Sequence, residues 1–138
     1  MAIKTVKLGL AERHMIGELL QAQQRGDLDW ARTVRTLRRD LALRDAAKTV
    51  KQLTEEAKED KQPVPGWDDL SDLDQSHEYT VEGDALAALR DVIQKHDWSA
   101  HLIQQPDGSL KEIRLPVHPS VLEVVTNLAE AIAEAMDR

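Results

Sequence analysis

Apolar positions along the chain change period several times, and each change marks a predicted element. Residues 3–8, IKTVKL, alternate and are rich in β-branched side chains, which predicts a short strand. From Gly9, placed to cap a helix, the period lengthens. Ile16, Leu19, Leu20 and Gln23 keep helical spacing, Glu12 lies near the positive end of the dipole, and Arg25-Gly26-Asp27 punctuates the end. A second helix is predicted from Asp27 or Asp29 to beyond Asp40. At about 100° per residue, Trp30, Val34, Leu37 and Leu41 form one buried stripe, with Arg32, Arg35 and Arg39 on the other side. The phase then changes: Ala46, Val50, Leu53 and Ala57 form a stripe about half a turn away. A break or kink near Arg44–Lys48 is expected, in preference to one long helix touching different neighbours at its two ends.

Gln62-Pro63-Val64-Pro65-Gly66 cannot be helical, because proline lacks an amide donor and restricts the residue before it. A mobile acidic loop is predicted over residues 58–76. HEYTVE at 77–82 reads as a strand with Tyr79 and Val81 on one face, followed by a helix opened by Gly83-Asp84 and carrying Leu86, Leu89, Val92 and Ile93. HLIQQ and SLKEIRL flank Pro106-Asp107-Gly108, the signature of a hairpin turn. His118 ends a loop, and Pro119 opens a C-terminal helix running to Met136, with Val121, Val125, Leu128, Ile132 and Ala135 in one row. The expected fold class is α+β: a mainly helical single domain, residues 1–138, with a small β-sheet or hairpin.

Composition refines this picture in two respects. The apolar fraction is 41%, yet there is no Phe and only one Tyr, so the core must be built from Leu, Ile, Val and Ala. No cysteine is present, which excludes disulfides and thiol chemistry. No run approaches the roughly 20 apolar residues of a membrane span. The opening MAIKTVKLGL is too short and too broken by lysine to act as a secretory signal. A cytoplasmic location is the expectation, with no membrane partner.

Charge changes the picture more. Residues 1–53 hold eleven Lys or Arg against six Asp or Glu, a balance of +5, and residues 54–138 hold seven against nineteen, a balance of −12. The net charge of −7 therefore conceals a polar distribution. Its sharpest feature is the cluster Arg32, Arg35, Arg38 and Arg39. Like charges at three and four residues' spacing destabilise a helix by a few tenths of a kcal/mol each, so something must neutralise them. The acidic tract at 55–84 could fold over the cluster. Alternatively, phosphates or an acidic protein surface could meet it, since the planar fork of arginine binds oxyanions two at a time. Helix, Gly-Asp turn and basic helix over Ile16–Leu41 superficially suggest a helix-turn-helix, but the acidic total and the missing basic wing or arm count against it.

The acidic tract carries Trp67, Leu70 and Leu73 at spacings of three, enough to place them on one side of a short helix. This predicts a segment that docks, and makes it a second candidate contact; solvated loop and mimicry of nucleic-acid phosphates are the other readings. His96 and His101 are five apart, the wrong spacing for two ligands on one helix face, so no metal site is expected. No phosphate-cradling glycine loop, nucleophile elbow or HExxH helix is present, so neither enzymatic activity nor a cofactor is expected. A second apolar row on the last helix, Leu122, Ala129, Ala133 and Met136, implies either deep burial or a homodimer seam.

Leu8, Leu10, Ala11, Glu12 and Arg13 give an L-x-L-A-E-R opening, followed by Gly26-Asp27 and then Thr33, Val34, Arg35, Leu37, Arg38 and Leu41. In this third of the chain the sequence resembles a group of small proteins encoded by tailed phages and prophages. Gly9 stands where that group tends to have a hydroxyl cap, and the tract after Ala42 diverges. The resemblance implies a phage-type context and no particular activity. The expected function is that of a non-enzymatic regulator or inhibitor that binds a host protein. Its contact residues would be Arg32, Arg35, Arg38, Arg39, Trp67, Leu70 and Leu73. The alternatives are a nucleic-acid-binding protein using the arginine helix, or an acidic nucleic-acid mimic.

Overall fold

The alternating N-terminal segment forms strand β1 (Ile3–Leu8) in a computed structural model that describes residues 2–23, 25–73 and 76–137, and the side chains of all these except Asp72 and Leu73. Chain order continues α1 (Leu10–Ala22), α2 (Leu28–Asp40), α3 (Leu43–Glu59), α4 (Trp67–Leu73), β2 (His77–Glu82), α5 (Gly83–Lys95), β3 (Ala100–Gln104), β4 (Leu110–Arg114) and α6 (Pro119–Asp137). β1 pairs antiparallel with β2, Ile3 opposite Glu82 and Leu8 opposite His77. β3 and β4 form a separate antiparallel hairpin. The chain is a mainly helical α+β domain, as the periodicities predict. No helix among the described residues is long and apolar enough to cross a membrane.

Helix α1 is the hub. It packs on α3, α4 and α6, while α2 packs on α5, β2 and α3, and α6 covers β1. Val6, Leu8, Met15, Ile16, Leu37, Leu41, Leu86, Leu89, Val124, Leu128 and Ile132 are buried together, an aliphatic core that accords with the absence of Phe. Such side chains stabilise the fold by roughly 1.5–3 kcal/mol each when fully buried. On α6 the buried row is Val124, Leu128, Ile132 and Ala135, while Val121 and Val125 are only half-buried. The second row is not deeply buried: Leu122 is 48% exposed, Ala129 and Ala133 are exposed, and Met136 is half-buried. The opening of α6 is capped by His118, whose Nδ1 accepts the Ser120 amide at 3.1 Å.

Asp27 caps α2 as its spacing suggests, accepting the Trp30 amide at 3.1 Å while Arg25 grips its carboxylate at 3.0 and 3.1 Å. That grip holds the Asp27 carboxyl below the usual carboxylate range. The Arg25 guanidinium also lies 4.8 Å from the centre of the buried Trp30 ring. The break after α2 falls at Leu41-Ala42, earlier than Arg44–Lys48. Leu43 is itself buried and begins the second stripe (Leu43, Ala46, Val50, Leu53), so the phase must switch before it. Ala42 makes the switch in the left-handed region, φ 50 and ψ 46. That conformation costs a non-glycine residue about 1–2 kcal/mol. Ala42→Gly is therefore expected to raise stability by about 0.5–1 kcal/mol after the extra unfolded-chain entropy of glycine is subtracted. Thermal unfolding checks it; a lower midpoint would contradict the strained-turn account.

Residues 58–76 are not a continuous loop. α3 runs on to Glu59 and stops in a Schellman arrangement, with Lys61 left-handed at φ 56, Gln62 N–H donating to Ala57 O at 2.8 Å and Lys61 N–H to Lys58 O at 3.2 Å. After the proline segment, α4 begins at Trp67, its entry fixed by the Gly66 amide donating to Asp69 Oδ2 at 2.9 Å. Leu70 is 3% exposed and anchors α4 to α1 and α6. The apolar spacing within the acidic tract outweighs its charge at this point; positions 74 and 75 lie outside the described residues.

Candidate functional site

The exposed face of α2 carries Arg32, Arg35, Arg38 and Arg39, and the turn at Ala42 brings Arg44 of α3 beside them. Arg35, Arg38, Arg39 and Arg44 line a groove of about 440 Å³ whose remaining walls are Ala31 and Val34. Arg38 and Arg44 also line a smaller depression, about 270 Å³, against His14, Gly17, Glu18 and Gln21 of α1. Arg39 is paired with Asp40 at 2.9 Å, and this hydrogen bond, with the charge of Glu82 as a minor contribution, raises its pKa further. Arg32, Arg35, Arg38 and Arg44 form no ion pair with any described residue. The C-terminal end of α2 and the N-terminal end of α3 meet at this corner. Their opposed dipoles offset one another, so the positive potential comes from the side chains.

The α4 portion of the acidic tract does not cover this face, while Glu82 near the tract's other end contributes charge to Arg39. α4, which bears Asp68 and Asp69, sits on α1 and α6 rather than on α2. Nor do α1 and α2 form a helix-turn-helix pair: α2 packs on α3, α5 and β2 and makes little contact with α1. Of the residues proposed in the tract, Leu70 belongs to the molecule's own core and has no surface left for a partner. Trp67 is half-buried, its ring 5.3 Å from that of His14. Leu73 closes α4, and its side chain lies outside the described residues. Sequence reasoning thus located the arginines but missed Arg44. The signal available was the new helical stripe at Leu43, which places Arg44 at the start of α3 within reach of Arg38.

One residue that supports the site was legible only as part of a motif. Arg13 is 8% exposed on α1, and its Nη1 donates to Ala42 O at 3.1 Å. Its guanidinium carbon lies 5.1 Å from the centre of the Tyr79 ring on β2. A buried cation therefore fixes the carbonyl at the turn that aligns Arg38, Arg39 and Arg44.

His14 is lowered from 6.5 by burial, with the Glu18 carboxylate 3.7 Å away offsetting part of the effect. His96, beside Trp98, is lowered by burial as well. A depressed histidine holds its proton less tightly in the fold than in the unfolded chain. Its contribution is therefore intact above the unfolded value and is lost as pH falls through the folded one. Thermal stability is expected to decline as pH falls below about 6.5, the value from which both groups are lowered, and to go on declining until pH passes their lower folded values. His14→Gln should flatten that decline; an unchanged slope would contradict the assignment.

Among the described residues no group of three His, Asp or Glu is placed to hold a metal ion. The groove presents several guanidinium groups side by side, a donor type whose planar fork suits oxyanions. Comparison of the chain with protein-family models, with curated proteins and with solved structures finds no match.

Proposed function

We propose that this chain is a non-enzymatic binding protein, a regulator or inhibitor, that attaches to an acidic surface of a protein partner through the arginine groove of α2 and α3. The single observation carrying this reading is that Arg35, Arg38 and Arg44 converge on one groove with no ion-pair partner among the described residues. Uncompensated like charges on a helix cost stability, so their retention in one groove is best explained by a ligand that neutralises them.

Two features favour a protein partner over nucleic acid. The groove is also lined by Ala31 and Val34, which suits an acidic segment that carries apolar side chains as well. A duplex backbone would need an extended basic footprint, whereas the chain as a whole carries −7. The resemblance of the N-terminal third to phage proteins makes a bacterial host protein the proposed partner, and the cysteine-free chain suits the cytoplasm. Capture from nuclease-treated bacterial lysate by the wild-type chain, and by Arg35→Glu/Arg38→Glu, tests the reading. The wild type should retain an acidic protein that the variant loses; retention of nucleic acid alone, before nuclease treatment, would reverse it.

A further inference from the structure

The β3–β4 hairpin is the least covered element of the molecule. Beyond its root, where Trp98, Ala100 and Ile113 are half-buried and Arg114 pairs with Asp97, its packing partners are its own two strands. Leu102 is 60% exposed, Ile103 46% and Leu110 66%. A two-stranded hairpin is marginal in water unless further strands or a helix complete it, so these side chains need a cover from outside the chain.

The hydrogen-bond pattern shows which edge is open. Leu115 N–H donates to Ser99 O at 2.9 Å and Gln105 N–H to Ser109 O at 2.8 Å. Bonded pairs alternate in an antiparallel ladder, so His101 and Ile103 face β4, opposite Ile113 and Lys111, while Leu102 and Gln104 direct N–H and C=O to the free edge. Ala100 presents its carbonyl there and donates its amide to Asp97 O at 3.2 Å. Proteins usually guard such edges with charged residues or proline. β4 has Lys111, Glu112 and Arg114; β3, Ala-His-Leu-Ile-Gln, has neither proline nor a Lys, Arg, Asp or Glu.

We infer that β3 pairs antiparallel with β3 of a second copy of this chain, forming a four-stranded sheet across a two-fold axis at Leu102. Centring on Leu102 overlaps all five residues of the strand and places leucine on leucine, His101 on Ile103 and Ala100 on Gln104. No like charges meet. Residues 98–122 contain Asp107 and Glu112 against Lys111 and Arg114, a balance of zero in a chain of −7. Two copies of an acidic protein can approach there without the repulsion they would meet elsewhere. Neutrality, the open edge and self-complementarity together single out a second copy over a foreign strand.

Sedimentation velocity of the wild-type chain from micromolar to millimolar concentration tests this. A concentration-dependent dimer is expected. Leu102→Asp, which sets two carboxylates opposite each other at an exposed position, should sediment as a monomer while retaining the wild-type circular dichroism spectrum and melting point. The chain has no cysteine, so Leu102→Cys gives a single reporter. Across the axis the Cα atoms would lie about 5.5 Å apart, within the range a disulfide spans, and oxidation should yield a covalent dimer. A wild type that remains monomeric throughout, or a dimer that survives Leu102→Asp, overturns the inference; the latter would place the seam elsewhere, such as the exposed row of α6.

Discussion

Arg13→Met is expected to destabilise the fold by about 3 kcal/mol, combining a shielded cation–ring contact with a charge-assisted hydrogen bond to Ala42 O, a carbonyl that keeps its bond from the Ala46 amide at 3.2 Å. The substitution keeps much of the apolar stem, so little cavity results. The losses include the donor to Ala42 O, 3.1 Å away, and the positive charge over Tyr79. At this size the melting point should fall by about 10 °C. Arg13→Lys should recover only part of that, because an ammonium lacks the planar fork that reaches the carbonyl while lying against the ring. A loss below about 1 kcal/mol, the level of an ordinary surface change, would mean that Arg13 does not hold the turn.

Charge reversal in the groove should produce the opposite combination. Arg35→Glu/Arg38→Glu is expected to weaken partner binding by about 100-fold, since placing like charges against a complementary surface costs several kcal/mol. Stability should stay level or rise slightly, because two arginines that repel Arg32, Arg39 and Arg44 are gone. A residue kept for folding would lose stability on reversal. A residue kept for binding loses affinity alone. Equal affinity in the variant, measured with purified partner, would remove the groove from the interface.

Much of this architecture was legible because each element has its own period. The stripe Trp30, Val34, Leu37 and Leu41 identified both the buried face of α2 and the exposed arginines opposite it. The hairpin was marked by Pro106-Asp107-Gly108, where Gly108 takes φ +86. The α2–α3 break falls earlier than the phase change suggests because it uses alanine in a conformation normally given to glycine, at a turn whose carbonyl is held by the sequence-distant Arg13. In the acidic tract the spacing of Trp67, Leu70 and Leu73 marks a docking segment, but not what it docks on: the burial of Leu70 against α1 and α6, distant in sequence, is a tertiary fact. Within the site, the arginines of one helix were evident from their spacing. Arg44 was not, since its place beside Arg38 depends on the angle between two helices.

The central claim is that the arginine groove contacts an acidic protein. Its most direct test is parallel capture by wild type and Arg35→Glu/Arg38→Glu from one nuclease-treated bacterial lysate, washed at about 50 and 200 mM salt, the range over which phosphate contacts weaken steeply. The account predicts an acidic protein retained by the wild type at both salt concentrations and missing from the variant. The same proteins on both baits, or none on either once nucleic acid is digested, would contradict it.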